Sequence, residues 1–165
     1  MHNKFAGWSK LTDDYLNTTG IVSKAPKCEG QAGWRAGDDY FLICSHLTGW
    51  SANPMIFVTA KAPLTLESKW RSLGDPTAGS KDAYNSQSTF VWQYTHPATG
   101  KQMLMYMGDR WNYHGKGSVG NATYVWLPLP APAPHRAGGG VAAAAPPQAG
   151  PAGMPYRESW KIADY

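Results

Sequence analysis

Two polar residues stand where chemistry is possible. Glu29 opens the run Cys28-Glu29-Gly30-Gln31-Ala32-Gly33-Trp34, which a Gly37-Asp38 turn joins to Tyr40-Phe41-Leu42-Ile43-Cys44-Ser45-His46. Gln87 opens Ser86-Gln87-Ser88-Thr89-Phe90-Val91-Trp92, which a turn near Pro97 to Gly100 joins to a run from Met103 to Met107 and then to Asp109-Arg110-Trp111-Asn112. A lone acid entering an apolar strand is either buried and paired, here with Arg35, Arg110 or a lysine, or aimed into an open site where it can move a proton. A glutamine in the matching place either satisfies backbone groups or orients a water, because its amide both donates and accepts.

Positioning both residues requires a β framework. Similar hairpins recurring along a chain suggest the blades of a propeller, whose inner strands converge on a central funnel. Composition agrees: aromatic residues make up 13% of the chain, with eight Trp and nine Tyr, while charged residues make up only 16%. Each aromatic is read either as β-core filling or as a platform for a sugar ring. The net charge of +4 is scattered, and no dense Lys/Arg run or nucleic-acid motif is present. No apolar run reaches membrane-spanning length, and the first eight residues carry no apolar signal-peptide core.

Residues 8 to 20 read as a short helical turn, with Thr12 as its cap, acids in its first turn and Gly20 after it. Met55 to Ala60 forms a third strand, Leu64 to Pro76 an outer strand, and Ala122 to Leu129 the third strand of the second unit. The stretch 130–155 is almost wholly Ala, Pro and Gly, which buries too little apolar surface to offset its ordering, and is read as a disordered insertion. Order-promoting residues return over 156–165, a closing segment of the same domain as 1–129. Cys28 and Cys44 lie roughly opposite each other across the first hairpin, so a disulfide and two buried thiols are both open.

Four stretches together resemble glycoside hydrolase family 43, in its exo-β-1,3-galactanase (galactan 1,3-β-galactosidase) branch. They are Leu11-Thr12-Asp13-Asp14-Tyr15-Leu16; Glu29-Gly30-Gln31-Ala32 with the run from Tyr40 to Trp50; Asn85 to Val91; and Gly108-Asp109-Arg110-Trp111-Asn112 with Tyr124-Val125-Trp126-Leu127-Pro128-Leu129. The likeness covers residues 8 to 129 and the Trp-containing tail, and matches the C-terminal part of the family's catalytic domain. The chain departs from the pattern at Gln31, where the family often has Pro, and in the Ala/Pro insertion.

The resemblance implies an all-β fold, a partial five-bladed β-propeller of about two blades of antiparallel strands plus the closing tail. It implies inverting hydrolysis of terminal β-1,3-linked galactose in galactan or arabinogalactan when the domain is complete. Glu29 falls at the general acid and Gln87 at a water-orienting amide; Thr48, Trp50 and Asn53 fall in a loop that lines the sugar pocket. The missing N-terminal half would supply a further acidic residue and much of that pocket. Asp109 and Arg110, adjacent in a strand, point to opposite faces and read as structural. His46 and His114 read as exposed or core residues rather than metal ligands; no cofactor is implied, and nothing supports a metal ion at the propeller axis. The substrate is an oligo- or polysaccharide, and the full-length relative is expected outside the cell. The alternative from another class is a non-catalytic propeller remnant that binds carbohydrate or a protein.

Overall fold

A computed structural model of the chain describes residues 4–77, 79–111, 119–130 and 153–161. Among the described residues nine strands form three antiparallel sheets stacked in chain order. The first pairs β1 (Ala6–Leu11) with β2 (Thr18–Ala25). Here the expected helical turn over 8–20 is replaced by a hairpin. Thr12 does not cap a helix; its hydroxyl accepts from the Asn17 amide at 3.1 Å and its own amide donates to the Asn17 carbonyl at 2.9 Å. Asp14 accepts from the Leu16 amide at 3.1 Å, and Tyr15 turns the chain at φ 61°. Tyr15 and Leu16 are exposed, so no apolar stripe exists to hold a helix, whereas Thr18, Thr19, Ile21 and Val22 favour extended chain.

The second sheet has the order β3 (Glu29–Ala36), β4 (Asp39–Ser45), β5 (Met55–Lys61), β6 (Arg71–Gly74). Its central strands lack the alternation of a half-exposed strand because both of their faces are covered. Leu42, Cys44 and Val58 face the first sheet and pack with Ala6 and Ala25; Phe41, Ile43 and Phe57 face the third. Cys28 and Cys44 are joined in a disulfide on the first of these faces, with Cα atoms 5.8 Å apart, which resolves the choice left open by sequence.

The third sheet has the order β7 (Gln87–Thr95), β8 (Gln102–Arg110), β9 (Thr123–Leu129). Val91, Leu104, Tyr106, Val125, Leu127 and Leu129 turn one face of it onto the second sheet. There the Trp34 ring stacks on Phe41 and Phe57, with centroids 5.2 and 5.8 Å apart. Most of the 130–155 segment lies outside the described residues. Met154, assigned to it by composition, is fixed: it is 1% exposed in the same core, its amide donates to Pro76 at 2.6 Å, and its carbonyl accepts from the Tyr84 hydroxyl at 2.5 Å. A single long apolar side chain finds a place in the core even where the average composition around it offers none. Further along the tail, the Trp160 indole donates to the Trp126 carbonyl at 2.9 Å and the Arg110 guanidinium stands over the Tyr156 ring. Among the described residues no helix is long and apolar enough to cross a membrane.

Candidate active site

The site begins with two strands from different sheets lying side by side. Near one end the Ser88 hydroxyl donates to the Gly30 carbonyl; near the other the Gln93 amide donates to the Arg35 carbonyl at 2.9 Å. Both links join residues 58 apart in sequence, so β3 and β7 run in the same direction in constant register. Glu29 and Gln87 share that separation and therefore stand level, at the same end of neighbouring sheets. Gly30 makes the close approach possible. It adopts φ 59°, and a Cβ there would lie 2.5 Å from Gln87 Cγ and 2.8 Å from the Ser88 carbonyl oxygen.

Gln87 is clamped from both sides. Its Nε2 donates to Ser45 Oγ at 3.0 Å, and its Oε1 accepts from the Trp111 indole at 3.1 Å. Ser45 is the cross-strand partner of Glu29 and passes the chain on, its hydroxyl donating to the Glu29 carbonyl at 3.2 Å. These partners fix the orientation of the amide and leave it one N–H and one oxygen lone pair to offer a water. The Glu29 side chain is half-buried, and among the described residues its carboxyl group accepts no hydrogen bond and joins no ion pair. The arginines that could have neutralised it are engaged elsewhere: Arg35 Nε donates to the Gly37 carbonyl at 3.0 Å and Arg110 Nε to the Tyr84 carbonyl at 3.2 Å.

The loop after β4 contributes unevenly. Asn53 spends its amide on the loop itself, accepting from the His46 amide at 2.9 Å and donating to the His46 carbonyl at 3.1 Å and Thr48 Oγ1 at 2.5 Å. Thr48 in turn donates to the Ser51 carbonyl at 2.6 Å. Both residues thus hold the loop's shape. Trp50 reaches the cluster, meeting Trp111 edge to face with centroids 5.3 Å apart. Asp109 is the cross-strand partner of Gln87, and Arg110 is occupied by Tyr84 and Tyr156. His46 is exposed, His114 lies outside the described residues, and among those described no three His, Cys, Asp or Glu side chains are grouped to hold a metal.

Sequence reasoning missed Ser45 and Trp111 as members of the site, although both lie inside the stretches that carried the resemblance. It also missed the turn that delivers Gln87. Ala83, Tyr84 and Asn85 all adopt left-handed backbone, at φ 51°, 61° and 55°. Such a run is costly for L-residues and needs surrounding bonds to hold it. Ser86 supplies them, its hydroxyl donating to the Ala83 carbonyl at 2.6 Å and lying 2.9 Å from the Tyr106 hydroxyl. Burial pushes the Tyr106 hydroxyl well above the ordinary tyrosine range.

No protein-family model matches the chain, and no curated protein sequence does. Solved structures do. A glycoside hydrolase family 43 β-1,3-galactosidase is 33% identical with a TM-score of 0.60, over 73% of this chain and 25% of that one. An exo-β-1,3-galactanase from Clostridium thermocellum is 31% identical with a TM-score of 0.61, over the same shares of the two chains. An exo-β-1,3-galactanase from Phanerochaete chrysosporium, solved with β-1,3-galactotriose, is 28% identical with a TM-score of 0.55, over 73% of this chain and 26% of that one. The chain therefore resembles part of a family 43 exo-β-1,3-galactanase catalytic domain with a propeller-type fold, and spans about a quarter of the length of these relatives.

Proposed function

We propose that this chain is a portion of an inverting glycosidase that releases terminal β-1,3-linked galactose from galactan or arabinogalactan, its sheets being about two blades of a five-bladed propeller. The observation that carries the reading is the level pair: a Glu29 carboxyl with no partner among the described residues beside a Gln87 amide clamped by Ser45 and Trp111. In inverting hydrolysis one carboxylic acid protonates the departing oxygen while water attacks the anomeric carbon from the opposite face. Glu29 has the position for the first task. As the bond to the leaving sugar breaks, its proton passes to the glycosidic oxygen. Gln87 has the hydrogen-bonding capacity for the second, holding the water by its remaining N–H and lone pair. An amide is too weak a base to take the water's proton, so that proton leaves to an acidic residue supplied from outside this chain. The disulfide supports an oxidising, extracellular setting.

Two adjoining blades leave the sugar held on one side only, and positioning carries much of a catalytic effect. The purified chain alone is therefore expected to release no galactose from β-1,3-galactotriose above a Glu29→Ala control. A chimera placing residues 6–129 in the matching part of the Clostridium thermocellum relative is expected to restore release. A folded chimera that binds galactose yet turns over no substrate would overturn the reading in favour of a non-catalytic binding module.

A further inference from the structure

We infer that the chain holds a second, non-catalytic saccharide site in the groove between its first two sheets, at the end of the molecule opposite Glu29. The groove has a volume of about 670 Å³ and is lined by Trp8, Lys10, Arg35, Asp38, Tyr40 and Pro63, among others. That volume lies within the roughly 300–1,000 Å³ of small-molecule sites. Arg35 is six residues along β3 from Glu29, about 20 Å at the rise of an extended strand. A sugar held here cannot reach Glu29; the groove can grip a distal stretch of the same polymer.

The lining suits a neutral, hydroxyl-rich ligand with apolar ring faces. Trp8 and Tyr40 meet near-perpendicularly, at 76° with centroids 5.7 Å apart, forming an aromatic corner. Trp8 is held firmly in that corner. A Cβ at Gly33 would fall 2.6 Å from its Cη2, and Trp70 packs at 5.4 Å, itself tethered to Ser23 by a 3.1 Å indole bond. Rigid aromatic surface gives contact at low entropic cost. Polar groups surround the corner with their capacity unspent. Among the described residues the Asp38 carboxylate and the Lys10 ammonium make no side-chain bond, while Arg35 gives its Nε to the Gly37 carbonyl and stands over the Tyr40 ring at 5.5 Å. Two cations and one carboxylate lining one groove offer both donors and acceptors to hydroxyls, which matches neither a simple anion nor a simple cation.

The identity of the sugar as a β-1,3-galactan rests on the proposed function; the groove as a saccharide site does not. The test is titration calorimetry of the 165-residue chain with β-1,3-galactotriose and, separately, maltotriose. Galactotriose binding that Asp38→Ala weakens about tenfold or more is the expected result. Asp38 is an exposed turn residue whose carbonyl accepts from the Ala62 amide at 2.9 Å, a bond that Asp38→Ala keeps, so the variant should keep the wild-type circular dichroism. Lys10→Ala, on an exposed strand position, provides an independent second variant. Binding of maltotriose alone, lost in Asp38→Ala, would support the groove and count against the galactan reading. Binding of neither sugar at millimolar concentration, or binding indifferent to both Asp38→Ala and Lys10→Ala, would overturn the inference.

Discussion

Replacing Gly30 by alanine probes the contact that brings Glu29 level with Gln87. Two costs add. Gly30 sits at φ 59°, a conformation that costs an L-residue roughly 1–2 kcal/mol. The new Cβ would also lie 2.5 and 2.9 Å from Gln87 Cγ and Cδ and 2.8 Å from the Ser88 carbonyl oxygen. The glutamine cannot swing aside without leaving Ser45 and Trp111, and the Ser88 oxygen is main chain. Overpacking of that kind costs about 1–3 kcal/mol more. Gly37→Ala separates the two effects, because Gly37 has φ 58° and nothing within 4 Å of the place a methyl group would take. Urea unfolding followed by tryptophan fluorescence should place Gly30→Ala about 1–3 kcal/mol below Gly37→Ala. Equal losses for the two variants would show that β3 and β7 do not approach as described, and the paired site would go with that approach.

Other parts of the fold yield further expectations. Met154→Ala should lower unfolding free energy by about 2–5 kcal/mol, the usual loss for a buried methionine, as measured by chemical denaturation; a neutral result would mean that the tail does not dock. Tyr106 is held neutral by burial, so its folded pKa lies above the unfolded value of about 10. The stability this gives is fully present below pH 10 and drains away above it, as the unfolded chain releases the proton first. Thermal unfolding in wild type should therefore weaken from about pH 10 upward, and Tyr106→Phe should flatten that fall; an unchanged alkaline slope would count against the buried hydroxyl.

Much of the framework was legible in the sequence because its signals are local. The run Tyr40 to Ser45 and the Gly37-Asp38 turn name a hairpin by themselves, and Gly37 at φ 58° shows why glycine stands there. The first hairpin was not legible. A threonine followed by two aspartates offers its side chains to nearby amides in a helix cap and in a tight turn alike, and only the partner strand decides. Met154 was hidden by averaging over a segment of alanine, proline and glycine. Within the candidate site, Glu29 and Gln87 could be matched because each opens an equivalent strand. Ser45 and Trp111 could not, since their bonds to Gln87 span 42 and 24 residues and depend on the stacking of sheets. The polarity of Thr48 and Asn53 was visible, but not that the loop consumes it.

The most direct test of the account is single-turnover release of galactose from β-1,3-galactotriose by the chimera described above, with Glu29 intact and with Glu29→Gln. Removing a general acid should slow the chemical step by roughly 10² to 10⁴-fold while galactotriose affinity stays within a few-fold, because the lost interaction belongs to the transition state. A Glu29→Gln chimera that binds and cleaves at the parental rate would contradict the assignment of Glu29 as the acid.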